Sequence, residues 1–554
     1  MGALDRPVGD STADLPGLSR RSVLAGGLGI GAGLLLAGCS SSSSSSRSPA
    51  AVPSALPGGT PVPGGTLRVG VASGGPSENL FPGTAAVGPD FIRVAQLFTP
   101  LFYAGSGDKL FPLEPGLALS AEPNADATSW TFRLRDGVTW HDGKSFGAHD
   151  VVYDLRTWMS DPATNYGAGF LLGLVDFANV KAVDKLTVRV PLKRPYAQFP
   201  TLFTHYNLWI TPEGKTPAEI ARNPIGTGAF KFQSFTAGKQ SVLVRNPNFW
   251  DAPKPYFESV VVESSFSDST AMVNALLAGS IDIASSPDYA VAAQQRSNPK
   301  VVLLESKSAY AQPVFAMRVD QGPFADVRVR QAFKYLVNRQ QLIDSAAAGF
   351  GNVAYDLVGP GNQYYATDLK REFDPDKARG LFKAAGVLGE TFVLPSPPLI
   401  GLDKAATVLA QQAKAAGVNV QVKTTSPATY WTPAEQVYVR PFAVDYIFAF
   451  ASLAGVYSAH VLQDAPFRDT WWGKQSPGGR QANDLILQAM ATLDETKAAS
   501  LWREVQQQQF DEGGYLCWSN QPWLDIVSPR LRGLKQTGGI NLNVSRFSDG
   551  WFAK

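Results

Sequence analysis

Trp130-Thr131-Phe132-Arg133-Leu134-Arg135-Asp136-Gly137-Val138-Thr139-Trp140-His141-Asp142-Gly143 is the stretch whose reading decides the fold. Its first five residues alternate large apolar with polar side chains, the period of a strand buried on one face. Arg133 then belongs on the solvated face. Lys185 to Val190 repeats the pattern as K-L-T-V-R-V, with Arg189 outward. Further strands are predicted at 65–71, 240–245, 260–263 and 418–422. Helices are predicted between them. Residues 269–278 carry apolar side chains at helical spacing and stop at Gly279. Residues 327–347 read as one long helix with Val329, Ala332, Phe333, Leu336, Val337 and Leu342 on one face. Residues 375–385 lie between an Asp374 N-cap and a Gly386 C-cap. Residues 405–416 end at Gly417 in the same way, and 481–493 with 496–510 form a late helical pair. Strands and helices mixed without a repeat predict an α/β protein.

The chain has 554 residues, of which 44% are hydrophobic and 17% charged, as expected of a globular protein. A net charge of +2 is too small for a nucleic-acid surface. Upstream of the folded part, Arg20-Arg21 precedes an uncharged run from Val23 to Ala37 that closes on Leu36-Ala37-Gly38-Cys39. The run is shorter than the ~20 residues a membrane span needs, and its flanks are those of a secretory leader. Residues 1–38 are therefore expected to be a twin-arginine, lipoprotein-type signal peptide, leaving Cys39 as a lipidated N-terminus. Several acyl chains there give a stable anchor. The Ser- and Pro-rich residues 39–63 are expected to be a tether. Cys517 is the second of two cysteines, so no disulfide framework is expected.

Enzyme readings fail on context. Gly143-Lys144-Ser145-Phe146-Gly147 fits G-x-S-x-G, but a nucleophile elbow needs a strand before it and a helix after it. Gly137 is one residue too far from Gly143-Lys144-Ser145 for a phosphate loop. The four histidines, His141, His149, His205 and His460, lack metal-ligand spacing. No cofactor, metal or catalytic residue is expected.

The opening stretch, continued through Phe146, Ala148, Asp150, Val151 and Val152, resembles the signature of the family-5 extracellular solute-binding proteins, the peptide- and nickel-binding subunits of ABC importers. Asn223-Pro224-Ile225-Gly226-Thr227-Gly228-Ala229-Phe230 resembles the family's N-P-V-G-T-G-P-Y turn. Pro323 to Ala332, P-F-A-D-V-R-V-R-Q-A, resembles a helix start of the family, and Asp374 to Gly386 a later helix. The resemblance implies an α/β, two-lobed hinge fold of the class II periplasmic-binding type with an extra inserted domain. Domain I would comprise 64–99, 224–304 and 516–554, the inserted domain II 100–223, and domain III 305–515. It also implies capture of oligopeptides or dipeptides by hinge closure outside the membrane. The partners would be a small solute, permease subunits with cytoplasmic ATPases, and the membrane through lipid on Cys39. The protein itself would be a monomer. Asp445, in Phe442-Ala443-Val444-Asp445-Tyr446, would pair with the ligand's α-ammonium. The backbone nearby and the loop Ser73-Gly74-Gly75 would bond an extended ligand as an added strand. Tyr446, Tyr457, Trp471 and Trp472 are candidate cleft aromatics. The family's usual D-P or E-P pair after this segment is replaced by Ile447-Phe448-Ala449-Phe450-Ala451. That keeps two alternatives open: a non-peptide solute such as a metal chelate, haem or oligosaccharide, or a degenerate binder with a regulatory role in the envelope.

Overall fold

A computed structural model describes residues 53–554 apart from 73, 106–109, 432–438 and 537–541. The leader and Cys39 lie outside the described residues, as does Ser73. Among the described residues no helix is long and apolar enough to cross a membrane.

One ten-stranded sheet runs through the molecule. Its main path is Phe442–Phe448, Val302–Met317, Ser519–Val527, Ile283–Ser285, Thr66–Ala72, Ser259–Phe266, Gln240–Arg245 and Phe230–Thr236. Thr66–Ala72 is parallel to both its neighbours, and the remaining pairs on this path are antiparallel. Val302–Met317 and Ser519–Val527 lie side by side on this path. They pair from Val302 to Glu305, lose register, and resume at Tyr310. A pair of strands that breaks step in the middle bends more easily than a continuous ladder.

The inserted segment carries its own four-stranded antiparallel sheet in the order Ala118–Pro123, Ser129–Leu134, Thr187–Pro191, Lys181–Asp184. Trp130, Phe132 and Leu134 point into its core and Arg133 points out, as the alternation predicts. His141 ties this segment to the rest of the chain. Its Nδ1 accepts from Gly226 N–H (3.1 Å) and its Nε2 bonds the Gly228 carbonyl (3.1 Å). Burial holds the ring's pKa down to about 4, so it is neutral, and the bond to Gly228 fixes the proton on Nε2. The turn it grips must be glycine: a Cβ on Gly226 would lie 1.8 Å from the Leu97 carbonyl oxygen.

In the second lobe the expected helix 327–347 is two helices, Val327–Leu336 and Arg339–Ala346. Asn338 separates them because its side chain accepts from Gln341 N–H (3.1 Å), capping the second. The other caps follow the sequence: Asp326 accepts from Arg328 N–H and Asp374 from Lys377 N–H. Arg330 and Gln331 donate to the last carbonyls of the helix Glu495–Glu512, on Glu512 (2.7 Å) and Asp511 (3.1 Å). Lys334 and Arg371 both donate to the Phe510 carbonyl. Cationic donors satisfy carbonyls that the helix itself leaves orphaned.

The expected tether is engaged by the folded part before residue 63: Leu56 is buried, Leu56 N–H donates to the Leu534 carbonyl, and Glu305 N–H donates to the Pro53 carbonyl. Leu516 and Trp518 pack in the apolar cluster with Phe333 and Phe442.

Removing the His141 ring strands a buried N–H and a carbonyl. His141→Ala is expected to lower unfolding stability by about 2 kcal/mol in denaturant titration. His149→Ala, at a half-exposed side chain, is expected to leave it unchanged.

Candidate functional site

A cavity of about 580 Å³ opens where the two lobes and the insert meet. Ala85, Ala86, Phe91 and Ala95 form the first-lobe wall, on the helix Gly88–Leu97 and the loop before it. The insert supplies Tyr166, Phe170, His205, Tyr206 and Trp209. The second lobe supplies Trp431, Asp445, Tyr446, Phe448 and Phe450. Rings touch rings around the cavity: Phe91 with Tyr206 (4.0 Å), His205 stacked on Tyr206 (4.4 Å), Trp431 with Tyr446 (5.6 Å) and Tyr446 with Phe448 (4.9 Å). Phe170 of the insert meets Phe450 of the second lobe at 5.6 Å. Beside them Thr201 and Ser452 share a hydroxyl hydrogen bond (2.8 Å), and Ala197 N–H donates to the Met490 carbonyl (2.6 Å). Insert and second lobe therefore meet across the cleft.

Asp445 is the one carboxylate among the lining residues. It accepts from Trp431 Nε1–H (3.0 Å) and Tyr446 N–H (2.8 Å). Behind it the buried Asp469 accepts from the Tyr515 hydroxyl (3.1 Å). Burial, reinforced by the Asp445 charge, pushes Asp469 well above the usual carboxylate range, so Asp469 holds a proton. Burial also raises Asp445, to about 6, against the lowering effect of its bonds from Tyr446 and Trp431 and of the Arg440 charge. At neutral pH the pair carries one negative charge. The two lining histidines carry none: burial pushes His205 and His460 down to about 4.

Several predicted site residues fall elsewhere. Phe442 lies in the second-lobe core, 1% exposed, against Phe324 (4.9 Å) and Phe333 (5.3 Å). Ala443 is buried opposite Ala316. Gly74 and Gly75 do not line the cavity. Gly75 N–H donates to Glu78 Oε1 (2.7 Å), and Glu78 is locked to buried Arg93 (2.7 Å), which pulls this loop against the sheet. Tyr457 is fully buried, with its hydroxyl on Gln509, and Trp472 is buried. Trp471 lies between Arg318 and Arg468 rather than in the cleft. Ser145 is exposed in a turn bridged to Thr139, with no elbow.

The edge expected to receive a ligand strand is partly filled by the protein. Phe442–Phe448 ends the sheet, but the Tyr430 hydroxyl takes both Val444 N–H (3.1 Å) and the Val444 carbonyl (2.8 Å). Tyr446 N–H is taken by Asp445. By antiparallel alternation the Tyr446 carbonyl and the Phe448 N–H remain on the outer edge.

The insert's wall was not foreseen in the sequence. Apart from Tyr166 and Phe170, its residues fall in Phe199-Pro200-Thr201-Leu202-Phe203-Thr204-His205-Tyr206-Asn207-Leu208-Trp209, which folds as short 3₁₀ turns without strand or helix period. The signal was an aromatic-rich stretch with no periodicity to place it in a core. Asn207 anchors it, donating to the carbonyls of Pro82 (2.7 Å) and Ala85 (3.1 Å).

A two-lobed α/β fold with a cavity between the lobes is that of a solute-binding protein. The sequence profile of the bacterial extracellular solute-binding proteins, family 5 (middle region), matches residues 112–460, and this chain belongs to that family. It is a family of solute-binding components of ABC importers, not of enzymes. The chain is 26% identical over 449 residues to the glutathione-binding protein GsiB of Shigella dysenteriae serotype 1 (strain Sd197), covering 79% of this chain and 85% of that protein. Its fold is similar to the ABC transporter-associated periplasmic binding protein DppA of Helicobacter pylori in complex with the peptide STSA (TM-score 0.75, 21% identity, 89% of this chain and 99% of that one). It is similar also to NikA of Brucella suis in complex with Fe(III)-EDTA (TM-score 0.75, 20% identity, 88% of this chain and all of that one).

A carboxyl whose folded pKa is raised is easier to keep folded when protonated. Its charge therefore costs stability as pH climbs from the unfolded value of about 4 through 6. Asp445→Asn removes that cost. In ligand-free protein the variant is expected to melt above the wild type at pH 7.5, with the gap narrowing at pH 5, as read by differential scanning fluorimetry.

Proposed function

We propose that this protein captures an oligopeptide or dipeptide by setting its α-ammonium on Asp445, closing the two lobes around it, and presenting the closed form to a membrane permease. The observation that carries the reading is the single negative charge of the Asp445–Asp469 pair at the end of a cavity otherwise lined by uncharged side chains. A desolvated carboxylate with free coordination demands a cation, and an ammonium supplies both charge and donors. Trp431 and Tyr446 add ring faces beside it, which favour the same charge. Closure follows because a ligand that touches both lobes stabilises only the closed state. Export by the twin-arginine route and lipid on Cys39 would hold the protein outside the cytoplasmic membrane.

The partly filled edge strand favours a second reading, a non-peptide amine held by the same carboxylate. Such a ligand needs the charge pair and the rings but little main-chain bonding. Glutathione itself fits poorly, because its two carboxylates would face a wall without a lysine or arginine among the described lining residues.

Isothermal titration with short apolar peptides tests the reading. Wild type is expected to bind in the micromolar range or better, about −8 kcal/mol. Asp445→Asn is expected to lose at least about a hundredfold, equivalent to breaking one buried ion pair. Affinity in the wild type is expected to fall as pH drops below 6, where Asp445 takes a proton. An unchanged affinity in Asp445→Asn sinks the proposal. Glutathione is expected to give no heat at micromolar concentrations.

A further inference from the structure

We propose that the cavity favours a hydrophobic monocation, an amine with a large apolar body, over a ligand that also brings a carboxylate into it. The inference rests on the amine-anchoring reading of Asp445 and narrows it to a class of ligand. Three observations carry it.

The first is charge. Among the described residues that line the cavity, Asp445 is the only ionised one; lysine and arginine are absent from all three walls. Two arginines of the surrounding structure make contacts outside the cavity. Arg440 lies over the Tyr430 ring (4.1 Å) and donates to the Tyr430 carbonyl. Arg546 is bonded to Glu114 (2.9 Å) and lies over Tyr103 (4.6 Å). His205 and His460 are held neutral by burial, so neither supplies a positive charge at pH 7. A carboxylate brought into such a wall loses its water and gains no counter-ion, which costs several kcal/mol.

The second is the neutral polar set. Thr201, Thr204 and Tyr206 line the cavity as uncharged hydroxyl side chains. Hydroxyls suit amide, ether or hydroxyl groups on a ligand, not a charged end.

The third is shape. Aromatic rings from all three parts of the chain, Phe91, Phe170, Tyr206, Trp431 and Phe448 among them, surround one carboxylate. Apolar walls reward area, and ring faces reward positive charge. Both select a hydrophobic amine over a zwitterion.

A matched ligand set separates the inference from the reading beneath it. The tripeptide Phe-Leu-Phe is titrated into the full-length protein as free acid, as C-terminal amide and as N-acetyl amide, beside 4-phenylbutylamine. The amide is expected to bind at least about tenfold tighter than the free acid, and N-acetylation to cost at least about tenfold. Free acid binding as tightly as the amide overturns the inference while leaving the amine anchor standing. N-acetyl amide binding as tightly as the free amine overturns the anchor itself. Binding of 4-phenylbutylamine without any of the tripeptides upholds the hydrophobic-cation class and removes peptides as its members. Failure of all four to bind overturns both.

Discussion

Everything in this protein hangs from one antiparallel strand pair that loses register halfway. Val302–Met317 and Ser519–Val527 stand side by side in the sheet, between Phe442–Phe448 and Ile283–Ser285. The far end of Val302–Met317 pairs with Phe442–Phe448 at Val314↔Asp445, so the carboxylate that faces the cavity is fixed by that long strand. Buried polar side chains lie along the pair. Among the described residues Gln521 finds no side-chain partner, and Gln312 donates to Leu357 and Asn520 while its oxygen stays unpaired. A close-packed apolar plug would resist bending here more than polar side chains do.

The cavity shows how charge is metered in a low-dielectric place. One carboxylate there needs hydrogen bonds to survive burial, and Asp445 has them from Trp431 and Tyr446. A second carboxylate would repel it, yet Asp469 is present. It is tolerated because it stays protonated and is bonded to Tyr515. The pair acts as one negative charge spread over two side chains, with the proton on the deeper of them. The imidazoles nearby are neutral for the same reason, burial without a carboxylate partner. The result is a site with a defined sign and magnitude of charge at pH 7, and that property speaks to the choice of ligand more directly than the fold does.

How much of this was legible in the sequence follows from what each residue does for its neighbours. Alternation placed Trp130–Leu134 correctly, because one face of that strand is core and the other solvent. Asp374 and Gly386 marked a helix because capping is local chemistry. Asn338 was missed as a helix break, since its cap competes with an apolar pattern that runs on through Val337 and Leu342. Asp445 was legible through resemblance alone. Phe442 was not, because a strand residue three places from a site residue can lie in the core without any change of pattern. Gly74 and Gly75 read as a loop, but the pull of Glu78 on Arg93 is a contact between residues whose partnership no local signal records.

The signature blocks identify the family without forming its site, and the structure gives the physical reason. His141 in the first block grips Gly226 and Gly228 in the second, so the blocks hold the insert to the central sheet. Arg330 and Gln331 in the third close the carboxyl end of Glu495–Glu512, with Lys334 and Arg371 completing the set. These are joints between parts of the chain. Each depends on a particular donor meeting a particular backbone group, so few residues can replace them. The cavity walls carry a weaker demand. An aromatic ring at Phe91, Phe170 or Phe448 needs only area and a face, which several side chains provide. Strict joints and permissive walls let one scaffold keep its signature while the side chains around the cavity, which lie outside that signature, are free to differ.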